Sequence, residues 1–187
     1  FEILRRLGYD WAKNLYHLAY GLVNLPSGRM KTREGTVVDA DDMIDELAAL
    51  AEKEIAAKGR DASVGDVKAV AEKVALGALH YYLLQTSPTK DMLYDPEQSL
   101  SFTGNTGPYI QYMGARASSI LRKHDPGEGN AAAGKISLDK LSSDADWALV
   151  RRLASFPEAL ELAARAKEPS VMAAYAHDVA ADFSTWY

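Results

Sequence analysis

The sequence predicts a mainly α-helical protein, in which a helical bundle is preceded by a short strand and a loop. Alanine is the most frequent residue, and leucine, glutamate and lysine accompany it, which favours helix along most of the chain. From residue 41 onwards, apolar residues recur at spacings of three and four, the pattern of a helix with one buried face. Glycine and proline separate these segments at positions where helices end and begin. Together these features indicate four to six helices packed side by side.

The first forty residues differ from the rest of the chain. Residues 1–7 predict a short helical segment that ends at Gly8. Residues 15–25 are rich in Tyr, Val and Leu and predict a strand, which Pro26 terminates. A polar loop follows over residues 28–36, where three basic side chains accompany a single acid. We therefore expect a strand, a turn and a small basic loop before the bundle.

Each predicted helix carries a start or stop signal. The first begins at Asp41 and ends at Gly59, and the next begins at a capping box formed by Ser63 and Asp66 and ends near Ser87. Asp95 followed by proline starts a helix, and Thr106 starts another that reaches about Lys123. Further helices are expected to begin at Ser143, Pro157 and Pro169. Residues 125–134, with three glycines and one proline, form the predicted linker.

Composition excludes several classes of function. The chain has no cysteine, so disulfides, thiol nucleophiles and Cys-ligated zinc or iron–sulfur clusters are ruled out. The four histidines have no ligand spacing, and no structural metal is expected. No apolar run approaches the roughly 18 to 20 residues of a membrane span, and no secretory leader is recognisable. We expect no membrane partner, and the ends of the chain, which fall inside apolar periods, suggest a piece of a longer protein.

The segment from Gly104 to Arg116 carries the most specific pattern. Its two glycines and its proline predict a tight turn and a helix start, whose backbone N–H groups could receive a phosphate. No acid occurs from Gln98 to His124, although the net charge of the chain is −5. A nucleic-acid surface on this protein must therefore be a local basic patch. The alternative is a glycine turn with core tyrosines and a solvated charged face.

Two motifs resemble those of a known family. Gly-Asn-Thr-Gly-Pro-Tyr-Ile-Gln-Tyr at 104–112, followed by Ala115-Arg116, resembles the signature that opens the anticodon-binding helical domain of arginyl-tRNA synthetases; Met113-Gly114 stands where the family has Ala-His. Residues 28–38 resemble the KMSKS region of class I synthetases, although only Met30 agrees with the strict five-letter motif. The other class I signature, H-I-G-H, does not occur in the chain.

The resemblance implies a division into two parts. Residues 1–40 would be the C-terminal edge of a Rossmann catalytic domain with its KMSKS-like loop, and residues 41–187 an α-helical anticodon-binding domain truncated at its C-terminus. The intact enzyme would join L-arginine to arginine tRNA through an arginyl-adenylate, with ATP as substrate and magnesium accompanying it, in the cytoplasm. DNA is not an expected partner. The fragment alone would be inactive, because it lacks the nucleotide fold and H-I-G-H.

Candidate site residues follow from both lines of reasoning. The resemblance implies that Lys31 and Arg33 are catalytic cations that stabilise charge on the leaving pyrophosphate. The implied ATP-binding loop consists of Arg29, Met30, Lys31, Thr32 and Arg33. The tRNA-binding candidates are aromatic, basic or amide side chains: Tyr109, Gln111, Arg116, Arg122, Lys123, Tyr175, Trp186 and Tyr187.

Two other functions remain open on the sequence alone. One is a helical protein-interaction module without an RNA role, which the acidic net charge would suit. The other is the C-terminal region of a different class I synthetase. The aromatic stripe in the last helix is also compatible with a purely structural core.

Overall fold

Helices dominate the computed structural model, which describes residues 1–26, 28–29, 39–57, 59, 65–123 and 138–187. The elements, in chain order, are α1 (Glu2–Arg6), a 3₁₀ helix (Asp10–Asn14), β1 (Val23–Leu25), β2 (Gly28–Arg29), α2 (Ala40–Ala57), α3 (Val67–Leu84), β3 (Met92–Leu93), α4 (Pro96–Ser99), α5 (Gly107–Lys123), a second 3₁₀ helix (Leu138–Lys140), α6 (Asp144–Ala154), α7 (Phe156–Ala166) and α8 (Pro169–Trp186). The predicted fold class, a helical bundle preceded by a strand remnant, is confirmed, but the described residues from position 40 onwards contain seven α-helices and not four to six. Within the described ranges, no helix is both long and apolar enough to cross a membrane.

A small sheet in the order β2-β1-β3 stands beside the helices. β1 pairs antiparallel with β2, and it pairs parallel with β3, where Val23 lies opposite Met92. The strand predicted over residues 15–25 is therefore wrong for most of its length, because only Val23–Leu25 form a ladder. The residues before it include exposed Tyr16 and Tyr20. Their apolar composition resembles that of a strand, but within the described part of the chain no partner strand lies beside them.

Most helix boundaries predicted from local capping signals agree with the structure. Asp95 caps α4 by accepting the Gln98 N–H at 3.0 Å, with Pro96 at the first helical position. Ser143 and Asp146 form a capping box at the start of α6. The box predicted for α3 is wrong, because Asp66 is itself the N-cap and accepts the Ala69 N–H at 3.1 Å. Ser63 lies outside the described residues.

The main core lies between α2 and α3. Small residues on α3 (Ala71, Ala75 and Ala78) are buried against α2, and the aromatic ring of Tyr94 closes the end of this core. The valines predicted to line α3 are only half-buried, because alanine permits the closest approach of two helices and the valines flank that contact. A second packing region surrounds α8, which contacts α3, α5, α6 and α7.

Candidate nucleic-acid interface

The glycine-rich signature forms a turn that is closed by protein groups. Gly104 has φ of +82°, in the left-handed region that favours glycine. The Thr106 hydroxyl accepts the Tyr109 N–H at 3.3 Å and thereby caps α5, while Gly107 and Pro108 are buried. The Tyr109 N–H is therefore satisfied by the protein itself. Anion binding at this helix start stays a prediction.

Gly107 has a different role from the one expected. It is helical, and a Cβ added to it would lie 2.3 Å from the carbonyl oxygen of Gly77 on α3. The glycine is required because the backbones of α3 and α5 touch at this point, and the turn itself depends on Gly104. Gln111, a predicted tRNA contact, belongs to the same crossing, since its Nε2 donates to the Lys73 carbonyl at 3.0 Å.

Tyr81 connects the signature turn to the last helix. Its hydroxyl is hydrogen-bonded to the Asn105 side chain and lies 3.1 Å from the carbonyl oxygen of Ala173 on α8. Burial, and secondarily the charge of Asp178, raise the pKa of Tyr81 to about 12. The hydroxyl therefore keeps its proton at neutral pH and holds three elements together.

An arginine that contacts two tyrosine rings forms the most distinctive surface feature. The Arg116 guanidinium carbon lies 4.7 Å from the Tyr112 ring centroid and 4.8 Å from that of Tyr187. Both distances are within cation–π range. Tyr112 is 41% exposed and Tyr187 is 62% exposed, so both rings of this stack meet solvent. α5 and the C-terminal end of α8 thus build one aromatic and cationic surface.

Trp186 lies beside this stack, and Asp146 holds it in place. Its indole N–H donates to Asp146 Oδ1 at 2.7 Å, and its ring packs against Phe183 with the centroids 5.9 Å apart. Asp146 accepts hydrogen bonds from the backbone N–H and the hydroxyl of Ser143 and, with a smaller effect, from the indole N–H of Trp186. These bonds lower the pKa of Asp146 to about 2. The carboxylate is therefore ionised at neutral pH and keeps the indole N–H engaged.

Two predicted contacts lie largely within the helix packing. The Tyr175 hydroxyl donates to the carbonyl of Arg152 at 3.0 Å, and its ring packs against Phe156. The Tyr109 ring faces His177 with the centroids 5.7 Å apart. Both tyrosines are half-buried, so each contributes to the bundle.

The basic candidates differ in their exposure. Arg122 and Lys123 are exposed in the last turn of α5. Arg152, which was not a candidate, pairs with Asp178 at 3.1 Å and with Asp182 at 2.9 Å, which raises its pKa and neutralises its charge within the protein. Among the basic candidates, Arg122 and Lys123 are therefore the fully exposed ones.

The structure places only one part of the predicted ATP-binding loop. Arg29 is the second residue of β2 and pairs with Asn24 of β1. Met30, Lys31, Thr32 and Arg33 lie outside the described residues.

Two residues that shape the interface were not selected from the sequence. Tyr112 precedes Arg116 by one helical turn, a spacing that places the two side chains on one face, so the sequence contained a signal for it. For Asp146, the sequence reading identified only its neighbour Ser143 as a helix start. Its bond to Trp186 depends on how α6 and α8 pack, for which the sequence has no local signal.

Comparison with known proteins agrees with this arrangement. Residues 1–95 match the family described as tRNA synthetases class I (R), catalytic domain, and residues 110–187 match the DALR anticodon binding domain. The chain belongs to the arginyl-tRNA synthetase family. It is 53% identical to the arginine–tRNA ligase of Treponema denticola and 45% identical to that of Borrelia hermsii, in both cases over its whole length.

The chain spans about a third of the length of these relatives, 32% of the first and 31% of the second. Among solved structures, it superposes on Thermus thermophilus arginyl-tRNA synthetase with a TM-score of 0.81 and 34% identity, covering 98% of this chain and 29% of that one. It corresponds to the C-terminal region of such ligases, with the end of the catalytic domain followed by the DALR domain. The family expectation is confirmed, and the alternative of a different class I synthetase is wrong. The domain boundary at residue 40 stays a prediction.

Proposed function

We propose that the complete protein containing this region is an arginine–tRNA ligase, which uses ATP to form arginyl-adenylate and transfers L-arginine to arginine tRNA. In this proposal residues 110–187 bind the anticodon arm, and the loop after β2 serves the ATP site. The observation that carries it is that the chain matches both domain families and also presents the Arg116 stack at its surface. The alternative of a protein-interaction module without an RNA role accounts for neither.

The Tyr112–Arg116–Tyr187 stack suits an unpaired nucleobase. A base has two flat faces, and aromatic side chains bind them with about 1–3 kcal/mol per base. The solvent-facing side of Tyr187 offers such a surface, and Arg116 beneath it supplies positive charge to attract the phosphate backbone. The bases of an anticodon loop are single-stranded and accessible to this kind of contact.

Arg122 and Lys123 extend the same helix with two exposed cations. Each phosphate that they neutralise releases counterions, so binding depends on salt in proportion to the number of contacts. With Arg116, the surface offers about three contacts, which predicts a slope of log affinity against log salt of about −2 to −3. This shallow slope is consistent with a chain of net charge −5, in which acidic surfaces elsewhere repel nonspecific RNA.

At the other end of the region, Lys31 and Arg33 are the proposed catalytic cations. Adenylate formation places negative charge on the departing pyrophosphate as the arginine carboxylate attacks the α-phosphate of ATP. Mobile cations that follow this charge lower the barrier. Magnesium is expected to accompany ATP, and the cytoplasm is the expected compartment.

The test is a salt titration of arginine tRNA binding to the wild type and to three variants. Arg122→Ala with Lys123→Ala is expected to flatten the slope by up to about two contacts. Tyr187→Ala is expected to weaken binding by about tenfold with little change of slope, because stacking releases no counterions, whereas Tyr187→Phe keeps the affinity. Slopes and affinities that are identical in all proteins would show that this surface does not touch the RNA.

A matched control uses two exposed lysines that lie outside α5 and α8. Lys53 on α2 and Lys68 on α3 are replaced together by alanine, which removes the same charge as the Arg122 and Lys123 variant. We expect this protein to keep the wild-type slope. A slope reduced equally by both pairs would indicate a general charge effect and would contradict the assigned surface.

A further inference from the structure

We propose that Gln111 is a positioning residue, which fixes the RNA-binding surface relative to the sheet at the other end of the region. The proposal rests on the proposed function and deepens it, because it assigns to the signature a role in alignment. Its physical basis is the crossing of α3 and α5, where Gln111 holds the two helices in register.

The crossing combines close backbone contact with a single directional bond. Gly107 allows α5 to approach Gly77 so closely that a Cβ would lie 2.3 Å from the Gly77 oxygen. Gln111 then lies over the bare face of Gly77 and donates to the carbonyl of Lys73 at 3.0 Å. Two glycine faces offer no interlocking side chains, so packing alone resists sliding of the helices only weakly. The directional hydrogen bond of Gln111 therefore sets the register along the helix axis.

The crossing of α3 and α5 is directly connected to the RNA-binding surface on one side. Tyr112 follows Gln111 in the chain, and Arg116 lies one helical turn further along the same helix. A helix transmits a displacement along its axis as a rigid element. Any shift of α5 at Gln111 therefore moves the aromatic stack by a similar amount.

On the other side, α3 is tied to the small sheet. The Tyr82 hydroxyl on α3 donates to the carbonyl of Leu93 in β3 at 2.6 Å. β3 pairs with β1, and β1 pairs with β2, whose last residue is Arg29. Packed helices and hydrogen-bonded strands thus connect Gln111 continuously to β2, the strand that precedes residues 30–36 in the chain.

The polar contact of Gln111 also argues against a role in reading RNA. Its amide nitrogen donates one N–H to α3, although the side chain is exposed. A Gln111 side chain that swung away from α3 to read a base would have to break the bond to Lys73. The positioning role keeps the bond intact when RNA is bound, and it leaves base contacts to the neighbouring aromatic residues.

Gly77→Ala provides a second way to disturb the crossing of α3 and α5 without removing Gln111. The new Cβ would lie 2.2 Å from Nε2 of Gln111 and would displace that flexible amide. Alanine also has a higher helix propensity than glycine by about 1 kcal/mol, so α3 is not weakened. This variant separates loss of positioning from loss of stability.

The experiment measures aminoacylation of arginine tRNA by the full-length ligase that carries this region. Gln111→Ala and Gly77→Ala are each expected to lower kcat by about 10- to 100-fold, the effect of a misplacement of about 1 Å. The Kd and KM for tRNA are expected to stay within about twofold of wild type, because the RNA-binding surface itself is intact. The double variant is expected to be no slower than either single variant, since both changes remove the same bond. Ser118→Ala, an exposed change on the same helix, serves as the control.

The outcomes separate the two proposals. A wild-type protein that does not charge arginine tRNA would contradict the proposed function. If the wild type is active, a weaker tRNA affinity with unchanged kcat in Gln111→Ala would make Gln111 an RNA contact and would overturn the positioning role. Unchanged kcat in both single variants, or additive losses in the double variant, would also overturn it.

Discussion

Replacing Gly107 by alanine tests the backbone contact on which the arrangement of the helices depends. The new Cβ would lie 2.3 Å from the oxygen and 2.8 Å from the carbonyl carbon of Gly77, and 3.0 Å from Cβ of Tyr81. The two nearest atoms belong to the backbone, so no flexible side chain can move away. An ordinary carbon contact of about 3.5 Å requires α3 and α5 to separate by about 1 Å.

The cost of that separation follows from two contributions. Overpacking of a well-packed contact typically costs about 1–3 kcal/mol. A shift of this size also breaks the Gln111 bond to Lys73, which contributes about 1 kcal/mol. We therefore expect Gly107→Ala to lower the free energy of unfolding by about 2–4 kcal/mol, which for a protein of this size corresponds to a decrease in Tm of about 5 to 15 °C.

The assay is thermal unfolding of the 187-residue chain, followed by circular dichroism, with Gly114→Ala as the matched control. Gly114 lies on the same helix, but a Cβ there would have nothing within 4 Å. This control is expected to keep or raise Tm, because alanine favours helix by up to about 1 kcal/mol. Equal Tm shifts in the two variants would refute the reasoning, since they would show that the crossing does not depend on Gly107.

Three further predictions concern activity and pH. The 187-residue chain alone is expected to show no arginine-dependent ATP–pyrophosphate exchange, because it lacks H-I-G-H; detectable exchange by a clean preparation would contradict this. In the full-length ligase, Lys31→Ala or Arg33→Ala is expected to lower the adenylation rate by about a hundredfold to a thousandfold and to weaken arginine binding much less; an unchanged rate in the double variant would make the loop merely a solvated one. Because the pKa of Asp146 falls from 3.8 to about 2 on folding, its contribution to stability is complete above pH 3.8 and is lost as the pH falls towards 2. Urea unfolding at several pH values is expected to show the difference between wild type and Asp146→Asn shrinking over this interval; a constant difference would exclude linkage to this carboxylate.

Helix boundaries were predictable because the signals that set them are local. Asp95 with Pro96 and Ser143 with Asp146 satisfy backbone N–H groups within three residues of themselves, so their effect can be read from the sequence. The family could be recognised from the signature at 104–112 for a similar reason, since a continuous string of residues carries it.

The sheet was less predictable, because its strands are short and their pairing is distant. Met92 lies next to Asn24 although 68 positions separate them in the chain. Two or three residues carry too little periodicity to indicate a strand, and the pairing exists only because α2 and α3 connect β2 to β3 and pack beside the sheet. The same composition in residues 15–22 therefore predicted a strand where no ladder forms.

The chain by itself determined which residues are available for chemistry: an acid-free segment from Gln98 to His124, a basic segment over residues 28–36, and no cysteine. Tertiary structure alone decided how these residues are used. Gln111 turns towards Lys73, 38 positions away, and Arg116 contacts both Tyr112 and Tyr187 because the C-terminal end of α8 lies beside the middle of α5. The physical reason is that hydrogen bonds and stacking act over a few ångströms, so they depend on which helix faces approach one another and not on the identity of the neighbours in sequence.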